Sequence, residues 1–191
     1  MDSLFLKKVR TEADIYKIPR IKDEGFEFIK QLVIDHKIES VLEIGSGNGY
    51  STLLYFTLPY VRKILTFEYN PKRYNLARHN LKNNKNIRIL NQDFLEYFES
   101  GERFDLIFID GMKRKYIDFF KHSLRFAKHS TIFISDNINF TGFDKKDSIP
   151  KKHQNIVKSL KEYREYLTKL DGFDTKIFPD KGDGIAITKK R

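Results

Sequence analysis

The stretch Val41-Leu42-Glu43-Ile44-Gly45-Ser46-Gly47-Asn48-Gly49-Tyr50 places an acid inside a short apolar run and then three glycines in alternation. Ser51-Thr52-Leu53-Leu54-Tyr55-Phe56 resumes as a helix former, so the order is strand, tight turn, helix. Glycines without Cβ permit positive φ and let a ligand approach the main chain, while the first free N–H groups of the helix attract an anion. A nucleotide-like ligand fits this combination. The dinucleotide fingerprint G-x-G-x-x-G would need glycine at position 50, which is Tyr50, and no Gly-Lys-Ser/Thr follows for a triphosphate.

More acids stand at comparable points. Glu68 ends the apolar run from Lys63, Asp93 follows the run Asn86 to Leu90, Asp110 follows Phe104 to Ile109, and Asp136-Asn137 follows Thr131 to Ser135. Asp110, Asp136 and Asn137, delivered from adjacent strand ends, would form an all-oxygen half-shell for a hard divalent ion. The five histidines, His36, His79, His122, His129 and His153, include no pair at metal-ligand spacing. Lys113, three residues past Asp110, is a candidate general base.

The elements that must position these groups alternate. Residues 3 to 10 and 23 to 36 read as helices, with Pro19 holding the link between them extended. Strands are predicted at 40–44, 63–68, 86–90, 104–109 and 131–135, with helices from Tyr50, from Pro71 behind an Asn70 cap, and over 116–127. Residues 142–150 read as a polar loop. Ile156, Val157, Leu160, Tyr163, Leu167 and Leu170 mark one side of a long helix, and strands at 174–178 and 184–188 flank a hairpin-like turn. Five alternations predict a parallel sheet covered by helices on both faces, with ligands beyond the carboxyl ends of the strands.

At 191 residues the chain is expected to form one domain, 1–36 contributing N-terminal helices and 37–191 the core. Hydrophobic residues make up 40%, 17 of them Phe, enough for a two-sided core, and with no cysteine there is neither a disulfide nor a thiolate site. No run approaches a membrane span or a signal peptide, so a soluble, cytoplasmic protein is expected. The net charge of +10 gathers at Lys113-Arg114-Lys115, Lys145-Lys146, Lys151-Lys152-His153 and Lys189-Lys190-Arg191, and would draw a polyanion such as RNA.

The E-I-G-S-G-N-G turn resembles the first motif of class I S-adenosylmethionine-dependent methyltransferases. With Phe108-Ile109-Asp110-Gly111-Met112-Lys113 and Ile134-Ser135-Asp136-Asn137, it is similar to the metal-dependent O-methyltransferases of the catechol and caffeoyl-CoA type. Pro19 to Gly25, Asp110-x-x-Lys113-x-x-Tyr116, Phe140-x-Gly142 and Gly182-Asp183-Gly184 are closer to the bacterial tRNA 5-hydroxyuridine branch. The resemblance implies a Rossmann-like α/β fold with a seven-stranded, mostly parallel sheet. It implies S-adenosylmethionine held by Ile21, Glu43, Gly45, Ser51, Glu68, Asp93, Phe94 and Asp110, with Glu68 on the ribose hydroxyls, Asp93 and Phe94 at the adenine, and Ser51 at the methionine carboxylate. It also implies Mg²⁺ on Asp110, Asp136 and Asn137, catalysis by Lys113 and Asp110, and a homodimer. The expected substrate is the tRNA wobble uridine, with a small catechol-like acceptor as the alternative. Arg20, Lys22, Arg114, Lys115, Lys145 and Lys146 are the expected RNA contacts, and Phe140 the stacking ring.

Overall fold

Local signals set the element boundaries. Asn70 accepts the N–H groups of Lys72 and Arg73, and Pro71 opens the helix behind it, so a predicted cap forms as an observed one. The computed structural model describes residues 3–99, 101–139 and 149–191. Its elements run α1 (Ser3–Ile15), α2 (Asp23–Asp35), β1 (Ser40–Ile44), α3 (Tyr50–Phe56), β2 (Lys63–Phe67), α4 (Pro71–Leu81) and β3 (Ile87–Leu90). They continue with β4 (Phe104–Ile109), α5 (Tyr116–Ser123), β5 (Ala127–Ser135), α6 (Lys151–Thr168), β6 (Phe173–Phe178) and β7 (Ile185–Lys190).

The strands form one sheet in the order β3-β2-β1-β4-β5-β7-β6. The first five are mutually parallel, and β7 runs antiparallel between β5 and β6. Strand alternation divides the core in two. Leu42, Ile44, Leu65, Phe67, Ile107, Ile109 and Phe133 face α5 and α6 through Phe119, Phe120, Leu160 and Tyr163. Val41, Ile64, Leu106, Phe108, Ile132 and Ile134 face Phe26, Ile29 and Val33 of α2 and Tyr55 of α3. A smaller cluster seats Val9 of α1 on Tyr50 and Leu53 of α3 and Ala77 and Leu81 of α4.

Several strand ends shift by one or two residues from the sequence reading, and three further differences change what the chain does locally. α1 continues to Ile15 and stops where Lys17 turns to φ 52. The helix expected over 116–127 ends at Ser123 and passes through a tight turn, Leu124–Phe126, into β5, which starts at Ala127 and carries a register shift opposite Asp105. Burial of Phe126 mimics helical periodicity there although the chain has already turned. His36 lies outside α2, exposed and facing the Lys189 ammonium, instead of on its apolar side. Among the described residues no helix is long and apolar enough to cross a membrane. Phe140, Gly142, Lys145 and Lys146 lie outside the described residues.

Candidate active site

Strand register brings the acids together. Phe67, Ile44, Ile109 and Ser135 are successive partners across β2, β1, β4 and β5, so the next residue on each strand, Glu68, Gly45, Asp110 and Asp136, forms one row past the strand ends. The row is pinned by Gly45 N–H to Phe67 O at 2.9 Å, Asp110 N–H to Ile44 O at 3.0 Å and Asp136 N–H to Ile109 O at 3.1 Å. The sheet reverses its direction of growth between β1 and β4, the point at which open α/β sheets leave a crevice. Here that crevice is about 880 Å³, and Gly45, Ser51, Glu68, Asp93, Phe94, Asp110, Lys113 and Asn137 line it.

Glu68 joins two of its walls. One carboxylate oxygen accepts Gly47 N–H at 2.9 Å and the other Asn70 N–H at 2.8 Å, so this acid ties the glycine turn to the end of β2. Burial pushes its pKa up, opposed by those two N–H groups and by Arg73. Asp93 caps the turn at Phe94–Glu96 through Leu95 N–H and accepts the Lys115 ammonium at 2.7 Å. Burial would raise its pKa, but Lys115 and the Leu95 N–H outweigh it and hold the carboxyl below the usual range.

At the other end, Asp110 accepts Lys113 Nζ at 2.6 Å, Lys113 also donates to the Tyr116 hydroxyl at 2.8 Å, and Tyr116 donates to the main-chain carbonyl of Asp136 at 2.9 Å. Asp136 is 1% exposed and does not line the crevice, whereas the next residue, Asn137, at φ 55°, does. Burial and the neighbouring Asp110 charge raise the Asp136 pKa, against Lys113 and the Asn137 N–H. One Asp136 oxygen accepts that N–H at 2.8 Å; the other, Oδ2, is buried with no hydrogen-bond partner. A buried carboxylate oxygen without a donor is costly, and a cation would satisfy it. Two carboxylates and an amide oxygen suit a hard divalent ion, so the residues fit the expected metal. Among the described residues no group of three or more His, Cys, Asp or Glu is placed to hold a metal ion, so this set rests on two carboxylates and the Asn137 amide.

Two expected cofactor contacts are placed elsewhere. Glu43 is 0% exposed and points away from the crevice toward α3, where it accepts Ser51 Oγ at 2.6 Å, Thr66 Oγ1 at 2.6 Å and the Thr52 hydroxyl. Its side chain shares the helix-covered face with Val41, because alternate residues of a strand face the same way. It therefore acts on the crevice only through Ser51. The side chain of Ile21 is buried in the core beside Gly25, and the neighbouring Pro19 and Arg20 line the crevice instead.

Glu43 yields two measurable expectations. Glu43→Ala leaves three buried hydroxyls without their acceptor and is expected to cost on the order of 3–5 kcal/mol in urea denaturation. Burial also raises the Glu43 pKa from 4.5 to about 7, despite the three donors. A raised carboxyl pKa gives stability that is present below the unfolded value and lost as pH rises through the folded one. Wild type should therefore lose stability between pH 4.5 and about 7, and Glu43→Gln should lack that component; parallel pH profiles for the two would contradict it.

The sequence reading missed several lining residues. Ser46 is 3% exposed, lines the crevice, and its hydroxyl has no partner. Arg73 enters from the first turn of α4. Asp183 enters from the turn before β7, because β7 pairs antiparallel with β5 through Ser135 and Ala186 and so starts at the strand-tip end. Its carboxylate accepts Lys22 Nζ at 2.6 Å. Of the cations expected to meet RNA, Arg20 pairs with Asp14, Lys22 with Asp183 and Lys115 with Asp93, while Arg114 is exposed.

The O-methyltransferase family model matches residues 2–191. Catechol O-methyltransferases of Niastella koreensis and Mycobacterium tuberculosis are 32% identical over 139 residues and 28% over 134. Each alignment covers 66% of this chain, which spans only 61% of the length of those relatives. A candidate caffeoyl-CoA O-methyltransferase structure from Staphylococcus aureus superposes with TM-score 0.91 at 28% identity, over 100% of this chain and 93% of its own. The S-adenosylhomocysteine complex of a Bacillus cereus O-methyltransferase, at 22% identity and TM-score 0.81 over 100% and 92%, shares the fold.

Proposed function

We propose that this chain, which belongs to the O-methyltransferase family, transfers a methyl group from S-adenosylmethionine to one of two neighbouring oxygens on a small catechol-like acceptor. The observation that carries the reading is the single row Glu68, Gly45, Asp110 and Asp136, which brings the acid read as the ribose ligand and the carboxylates read as cation ligands to one edge of the sheet. The names of the relatives favour the small acceptor over the tRNA wobble uridine.

Methyl transfer from a sulfonium is an in-line displacement, so the protein must hold donor and acceptor in near-attack geometry and exclude water. Glu68 would take the ribose hydroxyls while its oxygens keep the glycine turn in place. Asp93 and the main chain at Phe94 would meet the adenine, and Ser46 and Ser51 the amino-acid end; all four residues line the crevice. Asp110, Asp136 and Asn137 would hold a divalent cation that lowers the pKa of the acceptor hydroxyl and orients it. Lys113 is the proposed proton acceptor. In this structure Lys113 donates to Asp110 and Tyr116; the neutral amine keeps two N–H donors for those partners, so giving up its third proton is what would free a lone pair to accept one.

Glu68→Ala removes a charged acceptor and frees the turn, and should weaken S-adenosylhomocysteine binding by about 10- to 100-fold in calorimetry, the equivalent of roughly 1.5–3 kcal/mol. Unchanged affinity would remove Glu68 from the site.

The net charge of +10 favours a second reading, with 5-hydroxyuridine in tRNA as acceptor, since its hydroxyl also neighbours a carbonyl oxygen. Assays of a catechol and of 5-hydroxyuridine tRNA side by side separate the two. The first reading expects chelator-sensitive turnover of the catechol that varies little with salt. Turnover of tRNA alone, with steep salt inhibition, would replace it by the second.

A further inference from the structure

Glu12 lies on α1, outside every motif that the expected chemistry uses, yet its carboxylate reaches the glycine turn. One oxygen, Oε2, accepts Asn48 Nδ2 at 2.9 Å and Asn80 Nδ2 at 2.7 Å. Asn48 stands in the turn between Gly47 and Gly49, lines the crevice and is 1% exposed; Asn80 belongs to α4 and is 6% exposed. The two amides are also linked directly, Asn80 Nδ2 donating to the Asn48 main-chain carbonyl at 3.0 Å, and Asn48 Nδ2 donates to Val9 O at 2.8 Å. Three separate elements, α1, α4 and the turn, thus meet on one carboxylate oxygen. Hydrogen bonds to an ionised acceptor are stronger than neutral ones, and here they bind two amides that are themselves buried.

The chain just past α1 reaches the same crevice. Ile18 sits against Gly47, where an added Cβ would stand 3.1 Å from the Ile18 Cγ2, and Pro19 and Arg20 form part of the lining. We propose that Glu12 is a positioning residue for the cofactor turn: it sets the Gly45–Gly49 main chain at the height at which Gly47 N–H meets Glu68. Its effect on affinity rests on the donor reading given above; its effect on the turn does not. Gly45 and Ser46 N–H to Phe67 O, Gly49 N–H to Ser46 O and Gly47 N–H to Glu68 hold the turn to the sheet, and Glu12 adds the link to α1 and α4.

The test measures amide hydrogen exchange at Gly47 and Gly49 and S-adenosylhomocysteine affinity in the full chain, for wild type, Glu12→Ala, Glu12→Gln and Phe5→Ala. Phe5→Ala loosens the packing of α1 on its cluster without touching the carboxylate. Glu12→Ala should speed exchange at both glycines and weaken affinity, each by about tenfold. Glu12→Gln, whose carbonyl oxygen can still accept both amides, should restore most of each. Phe5→Ala should lower thermal stability with neither effect. The proposal is overturned if Glu12→Ala leaves exchange unchanged, if Gln is as impaired as Ala, or if Phe5→Ala reproduces the pattern. A wild-type chain that binds no S-adenosylhomocysteine refutes the donor reading, and the exchange rates then decide the Glu12 role by themselves.

Discussion

Asp136→Asn is expected to lose about a thousandfold in turnover, roughly 4 kcal/mol of transition-state stabilisation, while the folded protein becomes more stable. The two effects have one origin. Asp136 is buried, one oxygen has no donor, and Asp110 stands near enough to raise its pKa. An asparagine keeps the oxygen that accepts the Asn137 N–H and replaces the unsatisfied anionic oxygen with a neutral group. Removing a buried charge that Lys113 and the Asn137 N–H only partly offset should add about 1–3 kcal/mol in metal-free denaturation. S-adenosylhomocysteine should bind as before, because Glu68 and Asp93 lie toward the other end of the crevice. Steady-state rates, denaturation midpoints and calorimetry on the same variant check all three. A variant less stable than wild type would mean that Asp136 is a structural ligand of the fold, and retained turnover would remove it from the chemistry.

The second large effect concerns a residue with no side chain. Gly45 has φ +100, and a Cβ built there would overlap the carbonyl oxygen of Asp110 and stand 2.9 Å from its carbonyl carbon. Those neighbours are main chain held by strand pairing between β1 and β4, so they have no rotamer by which to yield. Gly45→Ala should therefore cost at least about 4 kcal/mol, combining the left-handed penalty with displacement of the strand tips, and should abolish donor binding. Gly101 provides the control, with φ +105 and nothing within 4 Å of an added Cβ. Gly101→Ala should cost only the conformational part, about 1–2 kcal/mol. Equal denaturation midpoints for the two variants would show that the approach of Gly45 to Asp110 is not what makes glycine necessary.

Much of this crevice was legible in the sequence because a parallel sheet has one simple rule: the residue after each strand faces the same edge. Glu68, Asp110 and Asp136 each follow a readable apolar run, so their convergence needed only the five strand ends. The same rule puts the Glu43 side chain off that edge. That acid lies inside β1, in phase with Val41, so its side chain belongs to a sheet face and not to the edge. What spacing cannot reveal is which strand a later strand joins. β6 and β7 were readable as a hairpin, but only the antiparallel pairing of β7 with β5 carries Asp183 to the crevice. Nor does a cluster of lysines show its partners: Lys115 and Lys22 look like a free basic rim in sequence, and in the fold each lies within 2.7 Å of a carboxylate.

Glu12, Asn48 and Asn80 illustrate the remaining gap. Asn48 and Asn80 lie 36 and 68 residues from Glu12, and no local pattern marks an amide as the donor to a distant acid. The two amides become informative only once α1 is seated on α3 and α4 through Val9.

If the methyl donor and a hard cation share one crevice, added Mn²⁺ should relax the sulfonium methyl protons of bound S-adenosylmethionine. Strong paramagnetic broadening of that methyl resonance is expected in wild type, with weaker broadening of the adenine protons and loss of both in Asp136→Ala. A methyl resonance left sharp with donor and Mn²⁺ both bound, or broadened equally in Asp136→Ala, would contradict a shared crevice.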